Sequence, residues 1–212
     1  MSRTRIKFCG LTRAGDVRLA CEVGVDALGF VFAANSPRRL TADDARALRE
    51  AVAPMVASVA LFLDPDEREV HAAIKALRPA LLQFHGGEED RFCASFGVPF
   101  LKTVPMGEGA QAPEVVADRY PSAAGFLLDG HGPGQPGGRG VAFEWRPIPR
   151  LERPVVIAGG LHAGNVAQAI AVMRPYAVDV SSGIEMAPGH KDGARMQQFV
   201  DEVQRADRRA SE

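Results

Sequence analysis

Short, continuously apolar runs alternate with amphipathic stretches from one end of the chain to the other. The runs are Ile6–Cys9, Ala27–Phe32, Val56–Leu63, Ala80–Phe84, Phe100–Val104, Gly125–Leu128, Val155–Ala158 and Ala177–Val180. Continuous rather than alternating hydrophobicity is the pattern of strands buried on both faces. Between them, apolar residues recur at helical spacing. Val17, Ala20, Cys21 and Gly24 share a face, as do Val70, Ala73, Ile74 and Leu77. Val166, Ala169, Ile170 and Met173 repeat the pattern, and so do Met196, Phe199, Val200 and Val203. Weaker helical stretches lie at Ala42–Ala51, Glu88–Phe96 and Pro113–Tyr120. The sixth connection, Gly130–Pro149, reads as a long loop.

Strand-then-helix order, repeated about eight times, predicts a parallel sheet with right-handed crossovers. Eight units predict a closed (β/α)8 TIM barrel, compact at 212 residues. The rival is an open doubly wound sheet. The segment after the first strand, "FCGLTRAG", does not fit the G-x-G-x-x-G fingerprint of dinucleotide-binding sheets. No linker divides the chain, so one barrel domain over 1–212 is expected, with a frayed polar tail at 206–212.

Composition narrows the partners. The formal net charge is -1, which gives no electrostatic case for nucleic acid or an acidic membrane. No apolar run approaches the ~20 residues that span a bilayer, and the N-terminus has no apolar leader core. The 3 cysteines have no metal-ligand spacing, so neither metal nor disulfide framework is expected, and a reducing cytoplasm is the simplest compartment. Cys21 and Cys93 fall on inner helix faces and read as core. The helix ends show no large apolar patch, so a monomer is the default, with a homodimer open.

In a barrel, chemistry sits where the strands end at their C-termini. The first strand ends in Cys9-Gly10. The seventh and eighth end in Gly159-Gly160 and Ser181-Ser182-Gly183, in "IAGGL" and "DVSSGIEMAPG". Glycine backbone N–H groups, serine hydroxyls and the N-terminus of a short extra helix at these two ends would cradle a phosphate. The plainer alternative is that these are ordinary turn residues.

Asp129 ends "GFLLDG" and is expected at the mouth, partly desolvated, with a raised pKa suited to a general acid. Capping the next turn is its alternative. The glycine-rich "GHGPGQPGGRG" that follows suggests a lid, with His131 in it as a solvated residue. Arg38 could hold a carboxylate with two parallel hydrogen bonds, or be a surface charge. His85 is open between a pocket hydrogen-bonder and a histidine satisfied at the rim.

Taken together, "KFCGLTR", "DALGFVFAANSPR", "LLQFHG", "FLLDG", "PGGRG", "FEW", "IAGGLHAGNV" and "DVSSGIEMAPGHKD" resemble the phosphoribosylanthranilate isomerase family, in order, from Lys7 to Asp192. The resemblance implies a tryptophan-pathway enzyme that performs an Amadori rearrangement on N-(5'-phosphoribosyl)anthranilate. Cys9 would be the general base and Asp129 the general acid. Gly159, Gly160, Ser181, Ser182 and Gly183 would bind phosphate, Arg38 the anthranilate carboxylate, and Asp179 would lie near the ribose. An iminium nitrogen within the substrate would be the electron sink, so no cofactor is implied.

Three departures stand out. The lid motif has Arg139 in place of a small hydroxyl residue. "FEW" has Glu144 in place of aspartate. "LHAGN" lacks a proline. A related histidine-pathway or bifunctional isomerase is the rival enzyme, but that chemistry resembles an aspartate where Cys9 stands. A non-catalytic phosphate-binding barrel is the rival from another class. A base at Cys9 needs a thiolate, whereas a free thiol near pKa ~8.5 is mostly protonated at neutral pH. A basic neighbour, Lys7 or Arg13, or the substrate cation would have to supply the difference.

Overall fold

A computed structural model describes residues 3–131, 145–147 and 151–209. Eight parallel strands close into a barrel: β1 (Arg5–Cys9), β2 (Ala27–Val31), β3 (Ala57–Phe62), β4 (Leu81–Phe84), β5 (Phe100–Pro105), β6 (Gly125–Asp129), β7 (Val155–Ile157) and β8 (Ala177–Val180). Closure comes from β1 pairing with β8, where Lys7 lies opposite Asp179. The described connections carry α1 (Ala14–Glu22), α2 (Ala42–Arg49), α3 (Glu67–Leu77), α4 (Asp90–Ala94), α5 (Pro113–Ala117) and α6 (Val166–Met173), and α7 (Gly193–Arg209) follows β8. The expected lid, with Arg139 and Glu144, lies outside the described residues.

The strand residues split with period two, as the pleat requires. One set faces the helices and is rich in phenylalanine. Phe8, Phe30, Phe62, Phe84, Phe100 and Phe126 are all buried there, and Phe84 stacks against Phe62 and meets Phe92, Phe96 and Phe100. The other set faces the barrel axis. Leu101, Leu127, Val156, Ala158 and Ala177 form one small inner cluster, and Cys9, Val31 and Leu61 form another. The remaining inner positions include polar Lys7, Gln83, Thr103, Asp129 and Asp179, every one buried. Eight-stranded barrels normally fill this space with branched apolar side chains. So much buried polarity marks the site.

Two helix starts follow from local chemistry. Thr41 and Asp44 form a reciprocal capping box on α2, and Asp66 and Glu69 form one on α3. Asp66→Ala removes the acceptor for the Glu69 N–H, a 2.8 Å bond. It is expected to cost about 1 kcal/mol in chemical denaturation while leaving turnover unchanged.

Local outcomes differ from the pattern at two places. Gly24, grouped with the first helical face, lies beyond the end of α1 with φ +87°. The tail expected to fray from 206 is helical through Arg209. Ala206 is buried, and Asp207 accepts both the N–H and the hydroxyl of Thr4, at 2.8 and 2.7 Å. Among the described residues, no helix is long and apolar enough to cross a membrane.

Candidate active site

A cavity of 440 Å³ opens at the C-terminal ends of the strands. Cys9, Arg38, His85, Asp129, Asp179, Gly159, Gly160, Ser181 and Ser182 all line it. Residues from six strand ends therefore meet in one space, as the barrel rule requires.

Cys9 closes β1 and is 6% exposed. Burial pushes its thiol above the ordinary range, opposed by the ammonium groups of Lys7 and Lys191. Glycine at position 29 makes room for the sulfur: a Cβ there would lie 2.7 Å from Sγ and 3.1 Å from Lys7 Nζ. Gly10 does a different job. A side chain there would overlap Arg38, so the missing Cβ accommodates the arginine rather than a ligand beside the thiol.

Arg38 is no surface charge, being only 8% exposed. Its Nε and Nη2 donate to the two carboxylate oxygens of Glu185, at 2.8 and 2.6 Å. That bidentate pair fixes the guanidinium plane. Glu185 also accepts from Lys191 Nζ at 2.8 Å, and Lys191 donates to the carbonyls of Cys9 (2.6 Å) and Ser181 (3.1 Å). One buried lysine thus clamps the end of β1 to the end of β8. Glu185 and Lys191 sit on β9 (Glu185–Ala187) and β10 (His190–Lys191), an antiparallel pair. Sequence reasoning gave neither a role, although both stand in "GIEMAPGHKD".

Asp129 closes β6 and is 5% exposed. The expected upward pKa shift is corrected here. Burial does push the carboxyl up, but His131 and His85 outweigh it and hold the carboxyl below its usual range. His131 is the residue that patterning misjudged. It is 6% exposed rather than solvated, with Nδ1 3.4 Å from Asp129 Oδ1. Its ring stacks on His85, centroids 6.0 Å apart. Burial lowers His85 to about 3, helped by His131, Lys7 and Lys102 and resisted by Asp129. The His85 imidazole is therefore neutral, its Nε2 in contact with Gln83 Nε2.

Asp179 lies on β8, where Lys7 Nζ donates to its Oδ2 at 2.8 Å. Its Oδ1 is buried and has no hydrogen-bond partner among the described residues. A buried carboxylate oxygen with an unused lone pair beside a cavity suits a ligand hydroxyl.

The two glycine-rich loops touch. A side chain at position 183 would collide with the Leu161 carbonyl, so glycine there lets the loop after β8 lie against the loop after β7. Gly159 and Gly160 have φ +82° and +63°, conformations that glycine adopts without strain. Asn165 Nδ2 donates to the Gly160 carbonyl at 2.9 Å and holds the first loop's shape. The extra helix expected after β8 is a single 3₁₀ turn, Ser182–Ile184. Among the described residues, no group of His, Cys, Asp and Glu could hold a metal ion.

Comparison with known proteins gives the family. The model of N-(5'-phosphoribosyl)anthranilate (PRA) isomerase matches residues 6–202. The chain belongs to the N-(5'-phosphoribosyl)anthranilate isomerase family. It is an isomerase of tryptophan biosynthesis. The enzyme of Xanthomonas oryzae pv. oryzae (strain PXO99A) is 56% identical over 211 residues, covering 97% of this chain and 95% of that protein. The crystal structure of phosphoribosyl anthranilate isomerase from Thermus thermophilus superposes with a TM-score of 0.82 at 35% identity, over 95% of this chain and 99% of that one. A second family structure, at TM-score 0.79 and 30% identity, covers 95% of this chain and 98% of its own. It holds reduced 1-(o-carboxyphenylamino)-1-deoxyribulose 5-phosphate.

Proposed function

We propose that Cys9 and Asp129 are the base and acid of this isomerase, acting on N-(5'-phosphoribosyl)anthranilate held between Arg38 and the two glycine-serine loops. The observation that carries the reading is convergence. A thiol, a carboxyl, a buried arginine and two glycine-serine loops all line one 440 Å³ cavity. The rearrangement needs each of them. Asp129 gives its proton to the furanose ring oxygen, and the C1'–O bond breaks to leave an iminium ion. Cys9, as thiolate, removes the proton from C2'; the C–H electron pair forms the C1'=C2' double bond, and the C=N π pair moves onto the nitrogen. The resulting enolamine tautomerises to the ketone. The electron sink lies within the substrate.

The remaining groups bind. Backbone N–H groups at Gly159, Gly160 and Gly183, with the hydroxyls of Ser181 and Ser182, take the phosphate. Arg38 takes the anthranilate carboxylate while Glu185 keeps its fork in plane. Asp179 Oδ1 accepts from a ribose hydroxyl, and neutral His85 completes the pocket as a hydrogen-bonder. The three free thiols suit a reducing cytoplasm.

Turnover of this substrate, beside titration with the reduced product analogue, tests the whole reading. Both are expected. Tight analogue binding without turnover would leave a phosphate-binding barrel instead, and preferred turnover of the histidine-pathway substrate would move the enzyme to that neighbouring chemistry. Arg38→Lys separates binding from catalysis. A lysine keeps the charge but loses the planar fork. KM is expected to rise about tenfold, with kcat changed far less, because one charge-assisted hydrogen bond is lost equally in ground and transition states.

A further inference from the structure

The base reading leaves a gap, because a buried thiol resists ionisation. The charges around Cys9 narrow the gap without closing it. Lys7, Lys191 and Arg38 set three positive charges against the carboxylates of Asp179 and Glu185. A thiolate would bring this cluster to neutrality. The three cations are not equivalent. Lys191 places its three N–H donors on Cys9 O, Ser181 O and Glu185 Oε1. Arg38 points its fork at Glu185. Lys7 gives one N–H to Asp179 Oδ2 and has two more. It stands two residues before Cys9 on the same inner face of β1. Its Nζ and the Cys9 Sγ crowd the same space over Gly29.

We infer that Lys7, anchored by Asp179, is the positioning residue that holds the Cys9 sulfur ready to act as the base. The pairing sets both its direction and its charge. Asp179 lies opposite Lys7 across the β1–β8 ladder and draws the ammonium to that side of the barrel. β2 contributes only Gly29 and Val31 toward the sulfur, so no titratable side chain intrudes from there. Asp129 and His85 lie across the mouth. As the C2' proton moves to sulfur, Lys7 keeps its own protons and only the negative charge it stabilised disappears. Hydrogen bonding and charge from Lys7 both favour the thiolate, while Asp179 disfavours it. The two members of the pair therefore push Cys9 in opposite directions.

That opposition is the test, and it rests on the Cys9 reading only for its meaning in turnover. Iodoacetamide alkylation of Cys9 is followed by peptide mass spectrometry across neutral and alkaline pH. Lys7→Met is expected to slow alkylation at neutral pH about tenfold or more, one pKa unit being tenfold in thiolate. Its alkylation profile and the basic limb of kcat/KM should both move to higher pH. Asp179→Asn is expected to accelerate alkylation. A purely structural role would shift both variants the same way or neither, and either result overturns the inference.

Lys7→Met strands a buried carboxylate and could unfold the barrel. The double variant Lys7→Met/Asp179→Asn removes both charges, and its alkylation must be slower than that of Asp179→Asn. Equal rates overturn the inference. Turnover of Cys9→Ser tests the base role separately. If that variant stays active while alkylation still follows Lys7, the base reading falls and the coupling stands.

Discussion

Asp129→Asn is expected to lower kcat by about 10²- to 10⁴-fold, the usual range for losing a positioned general acid, while the reduced product analogue binds nearly as before. Asparagine keeps the side chain's shape at the end of β6 and leaves the backbone bond from Met106 N to the residue 129 carbonyl, 2.8 Å, untouched. What it cannot do is give up a proton to the ring oxygen. The ligand-free site makes this step demanding, because His131 and His85 hold Asp129 as the carboxylate. Substrate supplies the correction. It brings a phosphate and a carboxylate into a 440 Å³ cavity and expels water from it. Added negative charge and desolvation both favour the protonated acid. A rate within tenfold of wild type would move the acid elsewhere, and His131, 3.4 Å away, would be the first residue to replace next.

Much of this was legible from patterning because a barrel ties function to strand ends. Each apolar run ended within one residue of the strand found, so Cys9, Asp129, Gly159 and Ser181 fell on the rim as expected. Charged residues inside the barrel were not legible. Lys7 reads only as a basic neighbour of Cys9, while Glu185 and Lys191 carry no role, and only tertiary pairing makes the burial of all three tolerable. The ionisation of Asp129 was misjudged for the same reason. Burial alone argues for a raised pKa, and the opposing histidine sits in a segment whose composition signals solvent. Gly10 also needed coordinates, because which neighbour a missing Cβ accommodates depends on the path of Arg38 from another loop.

Cys9→Ser is expected to lower kcat by a similar factor of about 10²- to 10⁴-fold, and its pH profile carries more information than its rate. In the free enzyme, burial keeps the proton on sulfur while His131 and His85 keep Asp129 ionised. Catalysis needs the reverse: a protonated Asp129 and an ionised Cys9. The productive form is then a minor tautomer of the dominant one, with the same total number of protons. Its share is constant between the two pKa values, so kcat/KM should show a broad plateau across neutral pH. The acid limb belongs to Asp129 and lies below the usual carboxylate range. The basic limb belongs to Cys9 and lies above the usual thiol range. Each variant should remove its own limb. Cys9→Ser loses the limb in the thiol's range, since a serine hydroxyl does not ionise there, and its residual activity falls as pH rises through the low range of Asp129. Asp129→Asn loses the acid limb, and its residual activity rises with pH through the thiol's range, because only the thiolate is left to form. A descending limb that survives in the thiol's range in Cys9→Ser would assign that ionisation to another group and remove Cys9 from the role of base.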